Sequence, residues 1–166
     1  MQPVRTWPWL LLAAAVVGID QASKSLATAA LAYGVPLAVL PGFNFTLLHN
    51  TGAAFSMFAD GSGWQRWVFI GIAVGVSGWI YLMLRQATAG ARWVPLALAM
   101  VLGGALGNCW DRALLGYVID FVQLCYETSC FPAFNIADSA ISVGAAMIII
   151  DMFRPSREPT AGAHVE

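Results

Sequence analysis

Apolar residues in this chain come in long runs separated by short polar breaks. Four runs stand out: about Trp7 to Leu26, Trp67 to Leu84, Trp93 to Trp110, and Phe134 to Phe153. The second and third contain no charged residue. The first carries Asp20 and Lys24, and the fourth carries Asp138 and Asp151 near its ends. A helix needs roughly 20 mostly apolar residues to cross a bilayer core, so each run predicts a transmembrane helix. Tryptophans at the edges (Trp7, Trp9, Trp64, Trp67, Trp93, Trp110) fit interfacial aromatic belts.

Between the first two runs the pattern changes period. Residues 27–63 are broken by Pro36, Pro41, Gly42, Gly61 and Gly63, so they do not span. "FNFTLLHN" places Phe43, Phe45 and Leu47 on one side of an alternating segment, which predicts a short strand. "VIDFVQLCY", from Val118 to Tyr126, predicts a second strand with less regular alternation. The expected fold is an all-α polytopic membrane protein: four transmembrane helices, a small external β element, and an interfacial loop or helix. One membrane-embedded domain covers 1–166, with a flexible cytoplasmic tail from about 154 to 166.

Composition agrees with this class. The chain is 59% hydrophobic and 10% charged, with a mean hydropathy of +0.71; a soluble domain carries about 25% charged residues. The net charge of −1 and the lack of a basic tract leave no electrostatic footprint for nucleic acid.

Charge then orients the spans. Four crossings put the N-terminus, the 85–92 loop and the C-terminus on one side. That side holds Arg5, Arg85, Arg92, Arg154 and Arg157, five of the eight basic residues. The positive-inside rule makes it cytoplasmic. Segments 27–63 and 111–133 then face the exterior or periplasm. A cleaved signal peptide is the rival reading of the N-terminus, with "ATA" at 27–29 as its cleavage region. Asp20 and Lys24 interrupt the run where a signal should be smooth, so a retained first span is expected.

The remaining polar residues carry the chemistry. Ionisable groups inside a membrane are functional candidates by default. Asp20 and Lys24, four apart, meet on one helix face; a local ion pair that reduces its own insertion cost is the plain alternative to a role in a site. In "GGALGNCWDR", Gly104, Asn108 and Arg112 share a face, while Gly103, Gly104 and Gly107 permit close helix contact. A packing face accounts for the glycines but leaves the buried Asn108 amide in need of partners. Asn135 and Asp138, three apart, can cap the fourth helix. Asp120, however, lies in "VIDFV" between apolar neighbours, an awkward place for a surface turn. Two carboxylates brought together at an interface share a proton near neutrality, as general acid–base chemistry requires.

Other groups point elsewhere. His49 and His164 stand alone, no His/Cys/carboxylate cluster has metal-ligand spacing, and Ser23, Ser56 and Ser139 lack a histidine base. Asp111 reads as a local partner of Arg112; Asp60, Arg66 and Glu127 read as solvated loop charges; Asp151 reads as interfacial. Cys125 and Cys130 can pair in an oxidising compartment, a pairing that spacing leaves open.

The set "DQASK" (20–24), "NTGAAFSMF" (50–58), "GGALGNCWDR" (103–112), "VIDF" (118–121) and "FNIAD" (134–138) resembles the lipoprotein signal peptidases, also called signal peptidase II. The likeness runs through all four spans in order. It implies an aspartic endopeptidase of the bacterial inner membrane. Such an enzyme removes the signal peptide from diacylglyceryl-modified prolipoproteins, cutting just before the lipid-bearing cysteine. On this resemblance Asp120 and Asp138 are the catalytic dyad. Asp20, Lys24, Asn50, Gly52, Asn108, Arg112 and Asn135 bind substrate or support the site. No metal or organic cofactor is implied; the partners are the prolipoprotein, membrane lipid and globomycin-type inhibitors, with the enzyme a monomer. Residues 43–58 are expected to form a platform around the substrate, with Phe55, Met57 and Phe58 facing lipid or the signal helix, and Trp64 and Arg66 to anchor an interfacial stretch. A proton-coupled small membrane transporter is the alternative, but it would place carboxylates near the midplane in repeated halves.

Overall fold

The computed structural model describes residues 5–52, 63–87, 92–127 and 129–154. The elements run α1 (Trp7–Ala30), β1 (Leu37–Leu40), β2 (Phe43–Asn50), α2 (Trp64–Gln86), α3 (Trp93–Leu114), β3 (Val118–Tyr126), β4 (Ser129–Cys130) and α4 (Ile136–Met152). The two expected strands are β2 and β3, with the expected bounds. The flanking β1 and β4 are additional; both are short and exposed. The Phe55, Met57, Phe58, Asp60 and Ser56 assignments and the tail beyond Arg154 lie outside the described residues, while Trp64 and Arg66, expected to anchor an interfacial stretch, open α2.

Three helices, α1, α2 and α3, are long and apolar enough to cross a membrane. All three exceed the expected runs, α3 by continuing past Trp110 to Leu114. α1 continues to Ala30 because its last turn, rich in the strong helix former alanine, keeps helical hydrogen bonding, ending with Leu31 N–H donating to the Ala27 carbonyl. α2 starts at Trp64, not Trp67. The fourth helix is shorter than its apolar run. Phe134 is spent on a bridge to Val122, and Asn135 caps the helix, so α4 begins at Ile136 and has 17 residues. At 1.5 Å per residue that is about 25 Å, short of the ~30 Å hydrocarbon core.

α3 is the central helix, packed against α1, α2 and α4. Its glycines make this possible. A Cβ on Gly103 would lie 2.6 Å from the Val16 Cβ of α1, and one on Gly104 would collide with the Ala137 carbonyl oxygen of α4. Gly144 of α4 returns the contact, its added Cβ falling 2.7 Å from the Ala97 carbonyl oxygen. Ala13, Ile80, Leu84, Leu98 and Leu102 form an apolar core at the end of the bundle away from the sheet. By contrast α2 exposes Trp67, Val68, Ile72, Val74, Trp79 and Leu82. An apolar face of that extent suits lipid as its solvent.

The sheet is antiparallel in the order β1-β2-β3-β4. Its register sets Leu48 opposite Asp120 and Asn50 opposite Val118. Gly42 turns β1 into β2 at φ +76°, and a Cβ there would lie 2.6 Å from the Cys125 carbonyl oxygen. Cys125 and Cys130 are opposite one another across β3 and β4 and are joined by a disulfide, resolving the open pairing; Cys109 is free.

Candidate active site

The site forms where the C-terminal ends of α1 and α3 meet β2, β3 and the start of α4. β3 leaves α3 after a short turn, and Val118 to Phe121 are all buried. Asp120 is therefore 2% exposed, between buried Ile119 and Phe121. Asn135 begins α4 as its N-cap, completely buried. Its side-chain oxygen accepts the Asp138 N–H at 2.9 Å, while an Asp138 carboxylate oxygen accepts the Asn135 N–H at 3.3 Å. This reciprocal capping box is the plain reading of Asp138, and it coexists with a second one.

The same Asn135 amide donates to Asp120 Oδ1 at 2.7 Å. One residue thus touches both carboxylates. Asn108, in the last two turns of α3, donates from Nδ2 to Asp138 Oδ1 at 2.7 Å. Its own oxygen accepts from Lys24 Nζ at 3.0 Å and Asn135 Nδ2 at 3.1 Å. Because an ammonium only donates, Lys24 dictates which way the Asn108 amide faces. Asn50 of β2 donates to Asp120 Oδ2 at 3.1 Å, and its oxygen accepts the Gly52 N–H at 3.0 Å. Arg112 donates to the Gly52 carbonyl at 3.1 Å, and its guanidinium lies 4.9 Å from the Phe69 ring centroid.

Lys24 and Asp20 form the expected pair, at 2.8 Å, almost wholly buried. The pair is not self-contained. Lys24 is equally close to Asp111, at 2.8 Å. Asp111 was expected to pair locally with Arg112; instead it points across to α1, because it lies one turn after Gly107, where an added Cβ would fall 2.8 Å from Asp20 Oδ2 of that helix. Gln21 completes the group, donating to Asp111 Oδ1 at 2.8 Å. Asp111 and Gln21 are the site residues that the sequence reading missed. The i, i+4, i+8 spacing of Gly103, Gly107 and Asp111 was the signal that could have found Asp111.

Arg66 is not a solvated loop charge. It lies in the first turn of α2, donates to the Ala113 carbonyl at 2.7 Å and sits 5.2 Å from the Trp67 ring centroid. Helix α2 begins early enough to carry it against the end of α3. His49, largely exposed, stacks on Tyr117 with centroids 4.0 Å apart, and partial desolvation lowers its pKa. Glu127 occupies the exposed turn before β4, with φ +52°. Asp151 makes an exposed contact with Arg154 at 3.7 Å.

Burial dominates the electrostatics of Asp120. Burial, and secondarily the Asp138 charge, push its carboxyl up to about 7, against the downward pull of the Asn50 and Asn135 amides. A carboxyl at that value can hold or release a proton near neutrality. Together with the half-buried Asp138, it offers an acid and a base linked through one amide. Among the described residues, no group of three or more His, Cys, Asp or Glu side chains is arranged to hold a metal.

Comparison with known proteins gives a consistent result. A family model described as signal peptidase (SPase) II matches residues 12–154. A lipoprotein signal peptidase of Pseudomonas aeruginosa strain PAO1 is 48% identical over 159 residues, covering 95% of this chain and 94% of that protein. One from Pseudomonas syringae pv. tomato is 49% identical over 151 residues, covering 90% and 87%. A bacterial membrane enzyme solved by the in meso method at 2.3 Å superposes with a TM-score of 0.80 at 29% identity, covering 92% of this chain and 94% of that one. A second such structure, at 1.9 Å, gives 0.78 at 30% identity, covering 90% and 94%.

Proposed function

The chain belongs to the signal peptidase II family of aspartic-type membrane proteases, and on that premise we propose that it cuts signal peptides from diacylglyceryl-modified prolipoproteins with Asp120 and Asp138 as its catalytic pair. The observation that carries the assignment is the Asn135 side chain, which binds Asp120 through its amide nitrogen and the Asp138 backbone through its oxygen. A shared polar anchor of this kind supports two carboxylates working as one unit.

In the proposed reaction one aspartate takes a proton from water as its oxygen attacks the carbonyl of the residue before the lipid-bearing cysteine. The other, protonated, donates a hydrogen bond to the developing oxyanion. The cysteine amine leaves with a proton from the pair, and no acyl-enzyme forms. The pair titrates as a unit holding one proton. Asn108 and Asn135 keep the carboxylates in place, while Asn50, Gly52 and Arg112 line the approach and meet the substrate backbone. Globomycin-type inhibitors would occupy the same place.

The membrane setting follows the same reading. α4 is the fourth span, tolerated at 17 residues by a tilted or locally thinned bilayer. Both termini are cytoplasmic, and the sheet lies at the periplasmic face. The Cys125–Cys130 disulfide supports that side, since such bonds persist in oxidising compartments. A substrate anchored by its acyl chains in the outer leaflet then brings its scissile bond to the carboxylates. A monomer suffices, because the site draws on one chain. Membership of a hydrolase family does not favour the transporter alternative.

The test is cleavage of a diacylglyceryl-modified prolipoprotein by the purified wild type and by Asp120→Asn and Asp138→Asn, with folding monitored by thermal unfolding. Both folded variants are expected to be inactive. A folded variant that still cuts near the wild-type rate would remove that aspartate from the reaction.

A further inference from the structure

The two carboxylates on Lys24 each do something beyond pairing with it. Asp20 Oδ1 accepts the Ala137 N–H at 2.9 Å. Asp111 Oδ2 accepts the Ile119 N–H at 3.2 Å. Ala137 immediately precedes Asp138, and Ile119 immediately precedes Asp120. The backbone positions just ahead of both carboxylates of the pair are therefore held by acids that share one ammonium.

We propose that the Lys24–Asp20–Asp111 triad sets the separation of the catalytic pair, with Asp20 positioning the turn of Asp138 and Asp111 positioning the strand of Asp120. Asp111 is thereby a positioning residue for the reaction. The proposal rests on the dyad reading above.

The geometry has the features such a device needs. The three side chains are buried to within 2% of full enclosure, so water does not loosen them. They come from α1 and α3, the helices that flank the site, whereas the groups they hold belong to β3 and α4. Ala137 N–H is among the first-turn donors that a helix cannot satisfy internally; Asn135 takes the next one, at Asp138. Gly107 lets α3 approach closely, since a Cβ there would lie 2.8 Å from Asp20 Oδ2. The second negative charge is balanced by donors, with Gln21 Nε2 3.2 Å from Asp20 Oδ2 and 2.8 Å from Asp111 Oδ1. Lys24 also donates to Asn108, whose amide holds Asp138. Each carboxylate of the pair is thus held both at its side chain and at the preceding peptide.

Site-resolved amide exchange on the full chain reads the two clamps without turnover. Asp111→Ala is expected to speed exchange at Ile119 and leave Ala137 unchanged; Asp20→Ala is expected to do the reverse. In the cleavage assay, Asp111→Ala should lower kcat per folded enzyme by about 100-fold, the effect of a small misplacement of reacting groups, with little change in KM. Asp111→Asn keeps one acceptor oxygen and should fall between wild type and Asp111→Ala in both readouts. If Asp111→Ala does not fold, the Asn variant alone decides. Unchanged Ile119 exchange, or faster exchange with an unaltered kcat, would overturn the proposal. Failure of the dyad reading looks different: Asp120→Asn would still cut, while the exchange pattern would continue to report on the clamps.

Discussion

Asn135 performs two separable jobs. As N-cap it satisfies the Asp138 N–H, and as a bridging amide it holds Asp120. Asn135→Ala should lose both, costing about 1 kcal/mol of stability for the cap and most of the activity. Asn135→Ser keeps a capping oxygen but has no amide to offer. Thermal unfolding should therefore recover in the Ser variant while cleavage does not; recovery of cleavage would mean that Asn135 acts only as a cap. Asp120 makes a second prediction, in pH. Folded, it keeps its proton up to about 7; its ordinary value is 3.8. Between those values the folded state binds more protons than the unfolded one, so this contribution to stability falls as pH rises. Asp120→Asn removes the contribution, and its unfolding temperature should gain on the wild type across that window. A difference that stays constant with pH would count against the raised value. Cleavage should likewise decline above about pH 7, as the pair loses its last proton.

Among the helices, α3 combines a structural stripe and a functional end. Gly103, Gly104 and Gly107 bring α1 and α4 against it, and that approach lets Asn108 and Asp111 reach residues on both neighbours. Gly104→Ala should push α4 away from α3 and destabilise the fold by about 1–3 kcal/mol, as overpacking does. Gly75 of α2 has nothing within 4 Å of an added Cβ. Gly75→Ala should be neutral or stabilising by up to about 1 kcal/mol, from helix propensity alone. Thermal unfolding in a single detergent compares the two. Equal effects would show that the stripe does not limit helix approach.

The molecule is a bundle with its polar chemistry gathered at one end, beside the sheet, and an apolar core at the other. The arrangement fits the proposed reaction at a membrane surface, since it separates the polar groups from the apolar core. The disulfide joins β3 to the edge strand β4 at this end and predicts a labelling pattern. With the protein denatured and no reductant present, an alkylating reagent should modify Cys109 alone, as read by mass spectrometry; reduction should expose Cys125 and Cys130. Three labelled cysteines without reductant would mean that β4 is held to β3 by its backbone pairing alone.

The runs of apolar residues were enough to determine that α1, α2 and α3 exist, because a bilayer selects for length and hydrophobicity, which are local properties. Alternation and turn residues likewise gave β2 and β3, and the flanking apolar pattern marked Asp120 as out of place. Side-chain partners are a different matter. Asp111 looks like a neighbour of Arg112 in the chain but pairs with Lys24, 87 residues away by number, since helix rotation, not sequence proximity, sets which faces meet. Arg66 resembled a loop charge until α2 proved to begin at Trp64. The fourth apolar run predicted a longer helix than α4, because hydropathy does not register that Phe134 bridges to β3 and Asn135 caps. Only the tertiary structure decides such assignments. A polar group buried from water must take its partners from whatever the packing brings within about 3 Å.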